Sequence, residues 1–156
     1  MFEEVLKRPD QAEKNLFGRS AFNRCYYATF LNVRAGLRML NPKWGELPHA
    51  AIPELLKGTI RTELAKGKNK AFRVADIEAE RSCARAVSAA VELSKLMITG
   101  YATRVVADYQ PEIQIIIDAE QECFLNSIGA KEAKNWSNKS AGFVNAIVTA
   151  WSQIND

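Results

Sequence analysis

The sequence predicts an all-α protein, an up-and-down helical bundle of about five or six helices. Two long segments, 19–40 and 76–101, carry apolar residues at helical spacing. Glycine and proline are few, eight and five among 156 residues, and they fall mostly between the periodic segments. Only Ile113–Ile117 favours a strand, and no second strand is apparent to pair with it. We therefore expect a single helical domain over residues 1–156.

The chain is predicted to begin with a short helix that bends near Pro9. Pro9 and Asp10 then start a turn that leads into the first long helix. In that helix, apolar residues recur at spacings of four, four, three, four and three positions: Phe22, Tyr26, Phe30, Val33, Leu37 and Leu40. This stripe is the side expected to pack into the core.

Beside the apolar stripe, the first long helix carries three arginines, Arg24, Arg34 and Arg38. Guanidinium groups in a row suit an anionic partner. A row of charges on a helix is equally typical of a face that only meets solvent. The pattern leaves both interpretations open.

A turn is expected at Asn41–Gly45, where Asn, Pro and Gly come together. The next helix should begin close to Pro53, because proline is tolerated only in the first turn of a helix. His49, the only histidine, then lies at or just before the helix start. It is a candidate for proton transfer, and its simpler role is to pack at the edge of the core.

Positive charge is concentrated in residues 57–73, where Glu63 is the only acidic residue. Gly67 predicts an exposed, mobile loop in this segment. Lysines in such a loop can hold phosphates as point charges, or can simply be solvated. The segment lacks the glycine spacing of a phosphate-binding P-loop, which argues against that class of nucleoside triphosphatase. The candidate phosphate ligands here are Lys66, Lys68, Lys70 and Arg73.

The second long helix is predicted from Asp76 to Tyr101, with two neighbouring apolar stripes. One stripe contains Ile77, Ala84, Val87, Val91, Ile98 and Tyr101, and the other contains Cys83, Ala86, Ala90, Leu93 and Met97. So wide an apolar face predicts a central helix or contact with a second copy of the chain. Arg104 and Asp108 fall near its end or just past a break at Gly100, and Pro111 ends the segment.

The remainder of the chain is predicted to form two further helices. The first runs from Ile113 through Cys123 and Phe124 to Ile128, with Gly129 as its C-terminal cap. The second lies within residues 129–156 and places apolar residues on one face: Val144, Ile147, Val148, Trp151 and Ile154.

The composition argues against several classes of protein. A net charge of +3 does not by itself indicate nucleic-acid binding. Cys25, Cys83 and Cys123 are far apart, so we expect buried thiols of a reducing compartment, with no metal site and no cofactor. No segment has the length and apolar character of a signal peptide or a membrane span. We therefore expect a cytoplasmic protein.

Three short motifs follow one another along the chain. Residues Asn23–Phe30 read Asn-Arg-Cys-Tyr-Tyr-Ala-Thr-Phe and are similar to a Ser-Arg-x-Tyr-Tyr-Ala-x-Phe motif. His49 precedes an apolar helix start, and residues 104–109 are similar to Arg-x-x-Ala-Asp-Tyr. Together they resemble the HEPN family of small helical proteins, over about residues 17–128. Residues 129–156 would then be an additional C-terminal helix.

The resemblance implies a homodimer that acts near RNA. Many HEPN proteins are metal-independent ribonucleases in toxin–antitoxin, CRISPR-linked or phage-defence systems, and others accompany a nucleotidyltransferase encoded beside them. The family's ribonucleases carry a histidine four to six residues after an arginine, whereas Tyr109 stands at that place after Arg104. In a nuclease, Arg104 would bind the scissile phosphate and His49 would move protons, with Asp108 and Tyr109 as poorer substitutes.

Three alternatives to catalysis stay open, one of which is an antitoxin-like neutraliser of a neighbouring toxin. The chain can be a non-catalytic subunit that binds a nucleotide or a partner protein, such as an adjacent-gene nucleotidyltransferase or a defence ATPase. In addition, Arg24, Arg104 and Asp108 can form a structural ion-pair network between the two long helices.

Overall fold

The computed structural model describes residues 1–155. Within them lie six α-helices: α1 (Glu3–Leu6), α2 (Gln11–Leu40), α3 (Ala51–Leu55), α4 (Arg61–Arg73), α5 (Ile77–Tyr109) and α6 (Ala130–Ile154). A 3₁₀-helix occupies Pro42–Glu46, and a π-helical turn at Leu56–Ile60 joins α3 to α4. The predicted all-α class, a helical bundle of about five or six helices, is confirmed. None of the helices in the described residues is long and apolar enough to cross a membrane.

The chain divides into two compact units, to which α2, α5 and α6 each contribute residues. The first unit contains Met1–Thr29 and Thr99–Ser137. The second unit contains Phe30–Ile98 and the residues from Asn138 onward.

In the first unit, α2 begins earlier than the apolar stripe predicts. The connection from α1 ends at Asp10, whose side chain accepts a hydrogen bond from the backbone N–H of Ala12 at 2.8 Å. The stripe is buried as predicted, with Phe22 and Tyr26 at most 1% exposed. The ring of Phe2 meets that of Phe22 edge to face, with centroids 4.9 Å apart. The aromatic residues of α2 therefore form the core of this unit.

The helix predicted from Ile113 to Ile128 is wrong. The segment forms an antiparallel sheet of β1 (Ile115–Ile117), β2 (Cys123–Leu125) and β3 (Ile128–Gly129), in the order β1-β2-β3. Ile117 pairs with Cys123 and Leu125 pairs with Ile128. The partner strand, β2, was not predicted because its three residues are too few to show an alternating apolar pattern.

Two tight turns produce this sheet. Asp118 accepts hydrogen bonds from the backbone N–H groups of Glu120 and Glu122, both at 2.9 Å, and Gln121 has a positive φ of 62°. Asn126, at φ 58°, makes the second turn. Gly129 is therefore not a helix C-cap, because it ends β3 directly before α6. A Cβ atom there would come within 2.7 Å of Glu122 Oε1.

In the second unit, the loop predicted around Gly67 is also wrong, because residues 61–73 form α4. Lysine is a good helix former, and Leu64 and Ala71 give this helix a buried side. Gly67 serves close packing: a Cβ atom there would lie 2.5 Å from Cγ2 of Ile154. The predicted stop after Leu40 and the helix start near Pro53 agree with the structure.

Helix α5 runs from Ile77 to Tyr109 without the break considered at Gly100. Asp76 caps its start, accepting a hydrogen bond from Ala79 N at 3.1 Å. The predicted stripe of Cys83, Ala86, Ala90, Leu93 and Met97 is at most 1% exposed. In the neighbouring stripe, Ile77 and Ile98 are 61% and 50% exposed, so the structure buries one of the two stripes more fully than the other.

The predicted final helix is α6, from Ala130 to Ile154. Trp136 is buried in the part of α6 that belongs to the first unit, and Ile147 and Ala150 are buried in the part that belongs to the second. Of the five residues of the predicted apolar face, Ile147 is buried, and the other four are partly buried: Val144, Val148, Trp151 and Ile154.

Candidate functional site

Asp108, on α5, contacts one residue of α2 and one residue of its own helix. The side-chain amide of Asn23 on α2 donates to Asp108 Oδ1 at 2.8 Å, and Arg104 Nε lies 3.3 Å from Asp108 Oδ2, one turn away on α5. The side chains of Arg104 and Asp108 are each 28% exposed. Both carboxylate oxygens thus have a donor, which matches the structural role considered for this pair from sequence. Asn23, rather than Arg24, is the member from α2.

Arg24 and Arg104 line one concave surface of about 330 Å³. We call it the arginine surface, and it consists of Ser20, Asn23, Arg24, Tyr27 and Arg104. Tyr27 is 50% exposed. The structure therefore brings together, on the two long helices, two of the predicted site residues and an accessible aromatic ring.

The two arginines of this surface differ in their contacts. Arg104 is oriented by Asp108. The exposed guanidinium of Arg24 makes no hydrogen bond or ion pair with any residue in the described part of the chain. An arginine side chain is charged at any physiological pH and presents five N–H donors. Arg24 is thus the member of the pair whose donors are directed to solvent.

His49 belongs to the second unit, whereas Arg24, Arg104, Asp108 and Tyr109 belong to the first. Its ring stacks on Phe30 with centroids 3.8 Å apart and an interplanar angle of 27°. It lies just before α3, as predicted. The contact with Phe30 gives His49 a packing role. Tyr109 is 73% exposed at the end of α5.

Arg34 and Arg38, the other two arginines of the predicted row, meet at one backbone carbonyl. Arg34 Nε donates to the carbonyl of Gly45, and Arg38 Nη2 lies 3.3 Å from the same oxygen. The Arg34 guanidinium is also 5.6 Å from the centroid of the Phe30 ring. These two side chains therefore hold the 3₁₀-helix against α2.

The lysine-rich segment lies on α4 and carries both signs of charge. Lys66 Nζ lies 3.0 Å from Glu63 Oε1. Lys66 and Lys70 line a concave surface of about 320 Å³ together with Glu63 and Asp76. This surface is less favourable for an anion than the sequence suggested, because two carboxylates share it. The other predicted phosphate ligands of the segment, Lys68 and Arg73, are not among its lining residues.

Arg19 was not among the residues predicted to be important for the site. Its guanidinium donates hydrogen bonds to five backbone carbonyls at and just beyond the end of α5: Val106, Ala107, Gln110, Pro111 and Ile113. The last carbonyls of a helix lack partners within the helix, and a cation there is favourable. One signal was available, because Arg19 and Asn23 are four residues apart and so share a face of α2.

The three cysteines are buried and unpaired, as the sequence predicts. Burial raises the pKa of each thiol above its usual value. In residues 1–155, no three His, Cys, Asp or Glu side chains lie close enough together to hold a metal ion.

When the chain is compared with protein-family models, with curated proteins and with solved structures, nothing matches. The resemblance to the HEPN family stays a prediction from the three sequence motifs.

Proposed function

We propose that this chain binds RNA through the arginine surface, as an RNA-directed protein of HEPN-like type. The observation that carries the proposal is the Arg24 guanidinium, whose donors have no partner in the described residues. It lies on one concave surface with Arg104 and the exposed ring of Tyr27. Guanidinium groups bind phosphate through paired hydrogen bonds, and aromatic rings stack on unpaired bases. The combination suits single-stranded RNA better than a simple anion.

A binding experiment tests this proposal. We expect a fluorescein-labelled single-stranded RNA to bind the chain at low salt, with an affinity that falls as salt rises. Arg24→Ala should weaken binding about fivefold or more, because a direct phosphate contact is lost. Arg81→Ala is the matched control: Arg81 is exposed on α5 in the second unit, and its loss changes the net charge equally. Absence of binding, or equal effects of both substitutions, would contradict the proposal.

In its stronger form, the proposal includes metal-independent cleavage. A base removes the proton of the ribose 2′-hydroxyl, the oxygen attacks phosphorus, the bond to the 5′-oxygen breaks, and an acid protonates that oxygen. Arg104, held in place by Asp108, would bind the scissile phosphate, and His49 would transfer protons. One histidine per chain fits this chemistry in a homodimer, which contains two.

Cleavage is tested by incubating the pure protein with tRNA and total RNA in EDTA. We expect cleavage that Arg104→Ala and His49→Ala both reduce strongly. Intact RNA, or cleavage that survives both substitutions, would contradict the nuclease and leave RNA binding in place. Arg81→Ala again serves as the control.

A second candidate function is a non-catalytic subunit that binds a nucleotide or a partner protein. The exposed apolar side chains on α5, Ile77 at 61% and Ile98 at 50%, favour an association through this helix. A homodimer, an adjacent-gene nucleotidyltransferase or a defence ATPase would be such a partner. Light scattering after size-exclusion chromatography of the natively expressed protein tests this. Elution as a monomer with no bound protein or nucleotide would contradict it.

A further inference from the structure

A second concave surface, of about 270 Å³, adjoins the arginine surface. We call it the apolar hollow, and it consists of Met1, Glu4, Leu16, Phe17, Ser20, Ala21 and Arg24. Ser20 and Arg24 line both surfaces. A ligand that spans them would therefore have an apolar part on one side of Arg24 and an anionic part near the two arginines.

The walls of the apolar hollow suit a flat, weakly polar group. Phe17 presents part of its ring, and the Arg8 guanidinium lies 4.1 Å from the ring centroid, which fixes the orientation of the aromatic side chain. Leu16 is 67% exposed at the rim. The volume lies just below the range of roughly 300–1,000 Å³ that is usual for small-molecule sites. A single planar base fits within this volume.

Among residues 1–155, Glu4 is the only carboxylate that lines either surface. Its oxygens lie 3.5 Å from Lys7 Nζ and 3.5 Å from Arg8 Nη2. Strong charge-assisted hydrogen bonds between such groups are about 2.7–2.9 Å long. The carboxylate is therefore only loosely engaged, and it offers lone pairs to a ligand with adjacent N–H donors.

We propose that the apolar hollow receives one unpaired guanine base of the bound RNA, while a neighbouring phosphate lies on Arg24. This inference rests on the proposed function and names the base that the site selects. The Watson–Crick edge of guanine presents two neighbouring donors, N1–H and the 2-amino group, and one carboxylate can accept from both. Adenine, cytosine and uracil each present a single donor group beside an acceptor on that edge. Glu4 therefore discriminates against the other three bases.

The test compares four labelled RNAs of eight nucleotides, each a run of uridine with guanosine, inosine, adenosine or uridine at the fourth position. Inosine lacks only the 2-amino group, so it removes one of the two donors. We expect guanosine to bind about five- to tenfold more tightly than adenosine or uridine, with inosine between them. Because this series uses the unmodified protein, it does not depend on any variant folding correctly.

Two variants then assign the preference to its residue. Glu4→Gln should remove the guanosine preference, since an amide places a donor group against guanine N–H. Glu13→Gln, at another exposed position of the first unit, changes the charge equally and should leave the preference intact. Equal affinity for all four RNAs, or a preference that survives Glu4→Gln, would overturn this inference alone and leave RNA binding in place. Absence of binding by every RNA would overturn the proposed function with it.

Discussion

Arg19 holds the backbone carbonyl of Ala107 at 3.0 Å, across 88 residues of sequence. The same guanidinium reaches the carbonyls of Val106 and Gln110, at 2.9 and 3.1 Å. These oxygens lie where α5 ends, so the cation from α2 replaces the hydrogen bonds that the helix itself cannot make. Arg19 thereby fixes the end of α5 on which Arg104 and Asp108 lie.

Replacing Arg19 should destabilise the chain. We expect Arg19→Ala to lower the free energy of unfolding by about 2–4 kcal/mol, because several partly buried carbonyls lose a charged donor. Arg19→Lys should recover less than half of this loss, since an ammonium group cannot reproduce the planar fork. Urea denaturation followed by circular dichroism measures both. Arg81→Ala, an exposed control, should stay within about 0.5 kcal/mol of the unmodified chain. A similarly small effect of Arg19→Ala would contradict this account.

Asp108 should act as a structural residue rather than a catalytic one. Asp108→Asn weakens the pair with Arg104, and we expect a stability loss of about 0.5–1 kcal/mol, as for partly exposed ion pairs. RNA affinity should rise roughly two- to threefold, because a negative charge next to the arginine surface disappears. Glu112→Gln, an exposed change of the same charge, should raise affinity less. A tenfold loss of RNA affinity in Asp108→Asn would show that the carboxylate is needed directly.

Gly100 and Gly142 both lie inside helices, but the space around them differs. A Cβ atom at Gly100 would lie 2.7 Å from Cδ1 of Tyr26, whereas at Gly142 it would meet nothing within 4 Å. Gly142→Ala should therefore stabilise the chain by about 0.5–1 kcal/mol through helix propensity. Gly100→Ala should destabilise it by about 1–2 kcal/mol, because overlap with a buried ring outweighs that gain. Thermal unfolding of both variants measures the signs, and equal signs would contradict the packing at Gly100.

The thiols should be protected in the folded chain. Burial raises the pKa of the Cys25, Cys83 and Cys123 thiols above its ordinary value, and the thiolate is the reactive species. Labelling by Ellman's reagent at pH 8 should therefore be much slower in buffer than in 8 M urea. A raised pKa means that the folded state holds its protons more tightly than the unfolded state. This contribution to stability is complete below the unfolded pKa of about 8.5 and is lost as pH rises above it. Rapid labelling of the thiols in the native chain would contradict the protection that burial is expected to give them.

Much of the helical structure could be predicted because burial follows the 3.6-residue period. Phe22 and Tyr26 on α2, and Cys83 and Leu93 on α5, are buried where the spacing places them. The small sheet could not be predicted in the same way. Its strands have two or three residues, and the sheet depends on turns at Gln121 and Asn126 rather than on a periodic pattern.

The site was predicted in part for a related reason. The spacing of Arg104 and Asp108 places them one turn apart on a helix, and the ion pair between them is one of the interpretations that the sequence left open. The contact of Asn23 with Asp108 depends on the register between two helices that are far apart in sequence. The periodicity within each helix carries no information on that register. For the same reason, the five carbonyl partners of Arg19 could not be predicted.

The close approach of Tyr26 to Gly100 has an evolutionary consequence. A ring at one position leaves no room for any side chain at the other. Descendants of this gene should thus change the two sites together, exchanging tyrosine for a smaller residue wherever the glycine is lost. Such paired substitution would identify distant homologues that share this helix contact, even where the surrounding sequence has diverged.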